Sequence, residues 1–254
     1  MAKGEDLERR ALPDGLTALQ KELHLAEIMR LIERTARWVA PETFRLLPVW
    51  FPEYARRVYF YKANWSEPQM NKNRQTGISE HKREGNVHAN KALTLALGLR
   101  SDDRPNWSCC HVWGIDDPLY QESNAIVQDR QFFSCVGNMV LLPTPLKAFT
   151  DTIPEVKVLL RICARNLYGW YCQHDSMAEV IATIDAWRDW SSYPIGWPRR
   201  PEDSPPLGVM PLNADIRTNA KRRLIRIRHD LEHAGPHYPR DEVRAALANW
   251  RIQI

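Results

Sequence analysis

WSCCHVWGIDDPLYQESNAIVQDRQFFSCVGNMVLLPTPLKAFTD, residues 107–151, is the stretch around which the chain is organised. Its first apolar run, 108–113, reads as a strand and carries a single histidine, His111. A long polar excursion, 114–130, follows, then an apolar and β-prone segment, 131–136, and a break at Gly137. Asn138 opens a second apolar run whose members at 139–142 read as a strand. Pro143-Thr144-Pro145 stops that strand and starts a helix, with Thr144 as N-cap and Pro145 at the first helical position.

Outward from this stretch the chain reads as mostly helical. Leu16, Leu19, Leu23, Leu25, Ile28, Met29, Leu31 and Ile32 recur at helical spacing, with Pro41 as stop or as the start of a short helix ending before Pro48. Val58 to Tyr61 fits a strand or a buried helical turn equally well. Residues 62–91 are polar and basic and read as a long loop or flap. Asn86 is placed to cap a helix from Val87 to Leu97, with Gly98 ending it. Val156, Leu159, Leu160, Cys163 and Leu167 stripe a helix from Pro154 to Gly169, and an amphipathic helix follows over 177–190. A proline-rich segment, 191–212, reads as a linker or an extended arm, before helices over 215–233 and 241–250. The expected fold class is α+β, with a small ββα core embedded in a helical scaffold. The expected regions are 1–100 (helical, with the polar flap), 101–175 (the core and its following helix) and 176–254 (C-terminal helices).

The 254 residues are 44% hydrophobic and 26% charged, enough for a sizeable core. No run has the length of a signal peptide or a membrane span, which gives a cytoplasmic expectation. Five cysteines without a CxxC pair argue against a zinc ribbon or a disulfide framework and for buried thiols. The net charge of +4 permits a polyanionic partner without naming one. The clustering is more informative. Arg217, Lys221, Arg222, Arg223, Arg226 and Arg228 crowd one helix, opposite an apolar stripe of Ala220, Leu224, Ile227 and Leu231. Such a helix presents a cationic face to phosphates, or a solvated face paired in part with Asp230 and Glu232. Lys72, Arg74, Lys82 and Arg83 in the polar flap form the second basic group.

CHVWG with His111, and GNMVLLP with Asn138, followed by a capped helix, resemble the HNH, or ββα-metal, nuclease family over less than a fifth of the chain. The resemblance implies an endonuclease of a restriction or phage-defence kind acting on DNA. In it His111 is the general base, Asn138 the residue that orients strands and ring, and a divalent metal, magnesium or manganese, sits beside the helix. DNA is the implied partner, no membrane is involved, and a homodimer is compatible. The departures are specific. Cys110 stands before the histidine, where the family often has an acid or a second histidine. Lys147 stands nine residues after Asn138, where it usually closes the site with histidine or asparagine. Asp151, four residues on, is the one hard ligand at an expected position, and Asp116 and Asp117 are replacement carboxylates. A variant without metal has Lys147 neutralise the phosphate. Each residue also has a plainer reading: His111 as a satisfied core histidine, Asn138 as a turn residue, Lys147 as a solvated lysine, Asp151 as a cap for the next helix, and Asp116-Asp117-Pro118 as a turn. Two competing functions follow, a nucleic-acid-binding protein that has lost catalysis on the same frame, and a protein-interaction module using Trp-rich surfaces.

Overall fold

The computed structural model describes residues 12, 14–72, 74–114 and 124–254. It is a mixed α+β fold, about half helical, with small two-stranded sheets and, among the described residues, ten α-helices. The helices are α1 (Gly15–Glu22), α2 (Leu25–Thr35), α3 (Pro41–Leu46), α4 (Val87–Ala96), α5 (Ala125–Gln128), α6 (Thr144–Thr152), α7 (Pro154–Tyr168), α8 (Ala178–Ala186), α9 (Ala214–His233) and α10 (Arg240–Asn249). The strands are β1 (Trp38–Val39), β2 (Met70–Lys72), β3 (Ser79–His81), β4 (Trp107–His111), β5 (Met139–Pro143) and β6 (Val209–Met210).

β4 and β5 pair antiparallel from Trp107↔Pro143 to His111↔Met139. α6 follows β5 directly and packs on both strands, so the expected strand–strand–helix order is present. β5 is buried along its length from Met139 to Leu142, because α2, α4 and α6 all cover it. Its outer edge is held by one pair of backbone hydrogen bonds between Arg37 and Leu141, of 2.9 and 3.0 Å. Next to Arg37, β1 pairs in parallel with β6. The proline-rich segment is therefore an arm laid across the body rather than a free linker. Trp197 of that arm is buried edge-on against Trp38, with ring centroids 5.8 Å apart. The backbone of Gly208 runs so close to the Ala36 carbonyl that a Cβ would overlap it. One apolar core joins residues from Ile28 to Ala220 and so draws on all three regions named from the sequence. A smaller cluster around Trp65, Ile227, Tyr238 and Val243 seats α9 and α10.

Several expected boundaries move for local reasons. The first long helix is split at Leu23–His24, where Glu27 accepts the His24 N–H at 2.9 Å and starts α2 afresh. Asn86 stands at the N-cap position of α4, which starts at Val87 as expected, but its side chain makes no capping hydrogen bond. The Glu84 carboxylate accepts the Val87 N–H at 2.6 Å instead, and Asn86 Oδ1 accepts from Arg56 at 2.8 Å. Thr144 lies inside α6 with its hydroxyl on Ser108, 3.0 Å away, and Pro143 takes the cap position. Residues 131–136 form turns rather than a strand and lead into a short 3-10 turn over Val136–Asn138, with one bridge from Cys135 to Val49. The polar flap contains an antiparallel ribbon, β2–β3, in register from Met70↔His81 to Lys72↔Ser79, with both strands exposed. All five cysteines are buried and free. Among the described residues, no helix is long and apolar enough to cross a membrane.

Candidate functional site

The site is built on the end of the β4–β5 pair where His111 faces Met139. Residues 110 and 111 are neighbours on a strand, so their side chains leave on opposite faces. Cys110 faces α6: Lys147, Thr150 and Asp151 act on its thiol, and burial pushes the thiol up to about 12. It is therefore protonated at neutral pH, and as a soft donor it is ill-matched to magnesium. His111 turns the other way, its ring beside Phe133 at 5.8 Å, and is partly buried. Its Nε2 lies 2.9 Å from the Phe133 carbonyl oxygen. A carbonyl only accepts, so Nε2 carries the proton and Nδ1 keeps its lone pair. Burial pushes the imidazole down to about 4, the Phe133 carbonyl works against that shift, and Arg56 and Lys157 add to it. At neutral pH the ring is uncharged.

Asn138 is fully buried and does not reach a surface. Its Oδ1 accepts the Trp113 N–H at 2.6 Å, its Nδ2 donates to the Phe132 carbonyl at 3.2 Å, and its own carbonyl accepts from Val112 at 2.9 Å. The residue thus ties the exit of β4 to the turn that carries Phe133, the acceptor of the His111 ring. Its amide serves the backbone on both sides of the His111 ring. In Asn138→Ala two buried backbone groups lose their partners, at about 1–3 kcal/mol each. We expect the midpoint of thermal unfolding to fall by roughly 4–24 °C for a chain of this size. An unchanged melting temperature would remove Asn138 from this role.

Lys147 and Asp151 sit one turn apart on α6 and form an ion pair with each other. Asp151 does not cap α7, whose N-cap is Ile153 and lacks a side-chain cap. Burial and Arg57 lower the Arg56 guanidinium while Asp151 works against them, and Arg56 in turn is one of the charges that lower the His111 ring. Asp116 and Asp117 lie outside the described residues. Among the described residues, no three His, Cys, Asp or Glu side chains gather as a metal site. A protonated thiol and a single carboxylate already paired to lysine do not fit the oxygen-rich shell that magnesium or manganese requires. The described part of the donor set thus departs from the expected metal centre.

Three cationic residues were not singled out in the sequence. Arg56 lies just before the apolar stretch Val58 to Tyr61, and its burial presses the guanidinium below its ordinary value. Lys157 and Arg161 lie four apart on α7, beside its apolar stripe. Arg161 is only 1% exposed and donates to the carbonyls of Val112 and Gly114 at 3.0 and 2.8 Å, bracing the segment just beyond His111. A pair of cations at i, i+4 within an otherwise core-facing helix was the available signal.

The basic surfaces divide. On α9, Arg217, Lys221, Arg222, Arg226 and Arg228 are exposed, and Arg226 pairs with Asp230 at 2.8 Å. Arg223 departs from the expected phosphate-binding set. It points inward, donates to the Trp50 carbonyl at 2.6 Å, pairs with buried Glu53 and lies 4.4 Å over the Phe51 ring. On and beside the ribbon, Lys72, Arg74, Lys82 and Arg83 are all exposed, with Lys82 over Phe60 at 4.8 Å and Arg83 over Tyr59 at 5.4 Å. Comparison with known families, curated proteins and solved structures found no match to this chain.

Proposed function

We propose that the chain is an HNH-type phosphodiesterase frame acting on DNA, with His111 as its general base. The observation that carries the reading is the hydrogen bond from His111 Nε2 to the Phe133 carbonyl. It fixes one tautomer and leaves Nδ1 as the basic atom on a partly exposed, neutral ring. In the proposed step Nδ1 takes a proton from a water as the water oxygen attacks phosphorus. The P–O bond to the leaving oxygen breaks, and that oxygen takes a proton from solvent. Arg56 and Lys157, within electrostatic reach of the ring, oppose the negative charge on the phosphate. A bound phosphate would in return raise the imidazole toward neutrality, where a base works best. Exposed Arg217, Lys221, Arg222 and Arg228 on α9, with Lys72 and Arg74 on the ribbon, are assigned to sequence-independent backbone contacts. No step is routed through a metal, because the described donors do not fit one.

A non-catalytic DNA-binding frame is the second reading. It is favoured by Cys110 and by the Lys147–Asp151 pair, which occupy positions where a ligand set was expected. Nicking of supercoiled plasmid, with EDTA and with added magnesium or manganese, separates the readings. Cleavage that persists in EDTA supports the metal-free reaction. Cleavage that needs metal and is lost in Asp151→Ala restores the metal version, with Asp116 and Asp117 as its remaining donors. Salt-sensitive binding without cleavage in any of these conditions leaves the binding frame alone.

A further inference from the structure

At the far end of α7 from Lys157, the last turns of that helix, α8 and the start of the proline-rich arm enclose an open pocket of about 460 Å³. Its size lies within the range of small-molecule sites. Three guanidinium groups line it, those of Arg165, Arg188 and Arg199, against one carboxylate, that of Asp185. Three aromatic side chains, Tyr171, Trp187 and Trp190, line it as well.

The two kinds of group are interleaved. Arg165 lies 5.4 Å from the Tyr171 ring centroid and pairs with Asp185. Arg199 lies 5.3 Å from the Trp190 ring centroid. Arg188 is fixed by its own surroundings, donating from one nitrogen to the carbonyls of Asp185 and Trp187 at 2.8 Å each. The Trp187 indole is anchored through Nε1 to the Asp189 carbonyl at 2.5 Å. Bonds to the backbone thus hold a guanidinium and an indole in place before any ligand arrives. That lowers the ordering cost of binding.

We propose that this pocket binds a nucleotide, its base stacking on the tryptophan rings and its phosphate held by the guanidiniums. The excess of two positive charges selects an anion. Arginine forks suit phosphate oxygens, and flat indole and phenol faces suit a planar base. A sugar or an aliphatic acid would use one half of this lining and leave the other idle. The same chemistry belongs to a free mononucleotide and to a nucleotide within a single strand. The proposal does not depend on the chemistry at His111.

The test is isothermal titration of the full chain with AMP and UMP, with adenosine and inorganic phosphate as half-ligands. A 5′-phosphorylated oligonucleotide and a circular single strand complete the set. Saturable mononucleotide binding, weakened about tenfold or more by Arg188→Ala and by Trp187→Ala, is expected, with adenosine and phosphate each weaker than AMP. Each variant is first checked by circular dichroism and thermal melting, and Arg199→Gln serves as a second probe should either fail to fold. Mononucleotides that bind while the circular strand does not compete identify a free or terminal nucleotide; competition by the circle identifies an internal one. The absence of saturable binding by every nucleotide probe, or affinity unchanged in the folded variants, overturns the proposal.

Discussion

Arg223→Ala is expected to destabilise the fold by about 3–5 kcal/mol, the range for breaking a buried ion pair. Its partner Glu53 has a side chain only 5% exposed, and Arg223 itself is at 10%. Removing the guanidinium strands a carboxylate beneath α9 and takes a donor from the Trp50 carbonyl. It also removes a cation stacked on Phe51. The neighbouring Arg222 points to solvent, and Arg222→Ala should stay within about 0.5 kcal/mol of the parent. Denaturant unfolding monitored by circular dichroism measures both. Replacing the pair together, Arg223→Met with Glu53→Leu, should recover most of the loss, since no unpaired charge then remains. DNA binding should order the two arginines the opposite way. Arg222→Ala lowers the slope of log K against log salt by about one unit, whereas Arg223→Ala leaves it unchanged wherever the protein is still folded. A stable Arg223→Ala protein with a reduced salt slope would return Arg223 to the phosphate-binding face.

The contrast between two adjacent arginines shows where the sequence was legible and where it was not. The pattern over 107–151 was readable because β4, β5 and α6 lie close together in sequence and α6 follows β5 directly, so apolar runs, a break and a proline signal suffice. Gly98 and Gly169 were legible as helix ends because each must adopt a positive φ, 68° and 59°. Arg223 was illegible because the residue that turns it inward, Glu53, lies far away in sequence. The buried Arg161 was hidden for the same reason, since its acceptors are carbonyls at the end of another element. The ribbon β2–β3 escaped because both its faces are exposed, and a strand without a buried face shows no alternation. The sequence named His111 and Asn138 together. Only the fold shows that the amide works on the backbone around Trp113 and Phe132 rather than in a cleft. Lys147 and Asp151 were legible as neighbours on one helix face, but not as each other's partner.

His111→Asn is expected to lower cleavage by about 10²–10⁴-fold while leaving DNA affinity within a small factor. Asparagine can still donate to the Phe133 carbonyl but has no basic atom, so the turn keeps a partner while the proton acceptor is gone. His111→Ala loses both, and its deficit in cleavage should match that of His111→Asn if the base is what matters. The two should part in stability, with alanine the less stable because the Phe133 carbonyl is left without a donor. The same ring sets an acid limit on the fold. Its imidazole is held at about 4 in the native state against 6.5 for an unperturbed histidine. Between those values the unfolded chain takes up a proton that the folded chain refuses. The ring's contribution is therefore complete above pH 6.5 and lost as the pH falls toward 4, by roughly 3 kcal/mol at most. In His111→Asn that share of the pH dependence disappears, so wild-type and variant stability curves should converge on acidification. On the proposed function, bound DNA would oppose that bias on the ring, because phosphate charge favours the imidazolium. The acid limb of kcat/KM, set by the free protein, should then lie below that of kcat, set by the complex. Cleavage by His111→Asn at the wild-type rate would leave the ring as a core histidine bonded to Phe133 and nothing more.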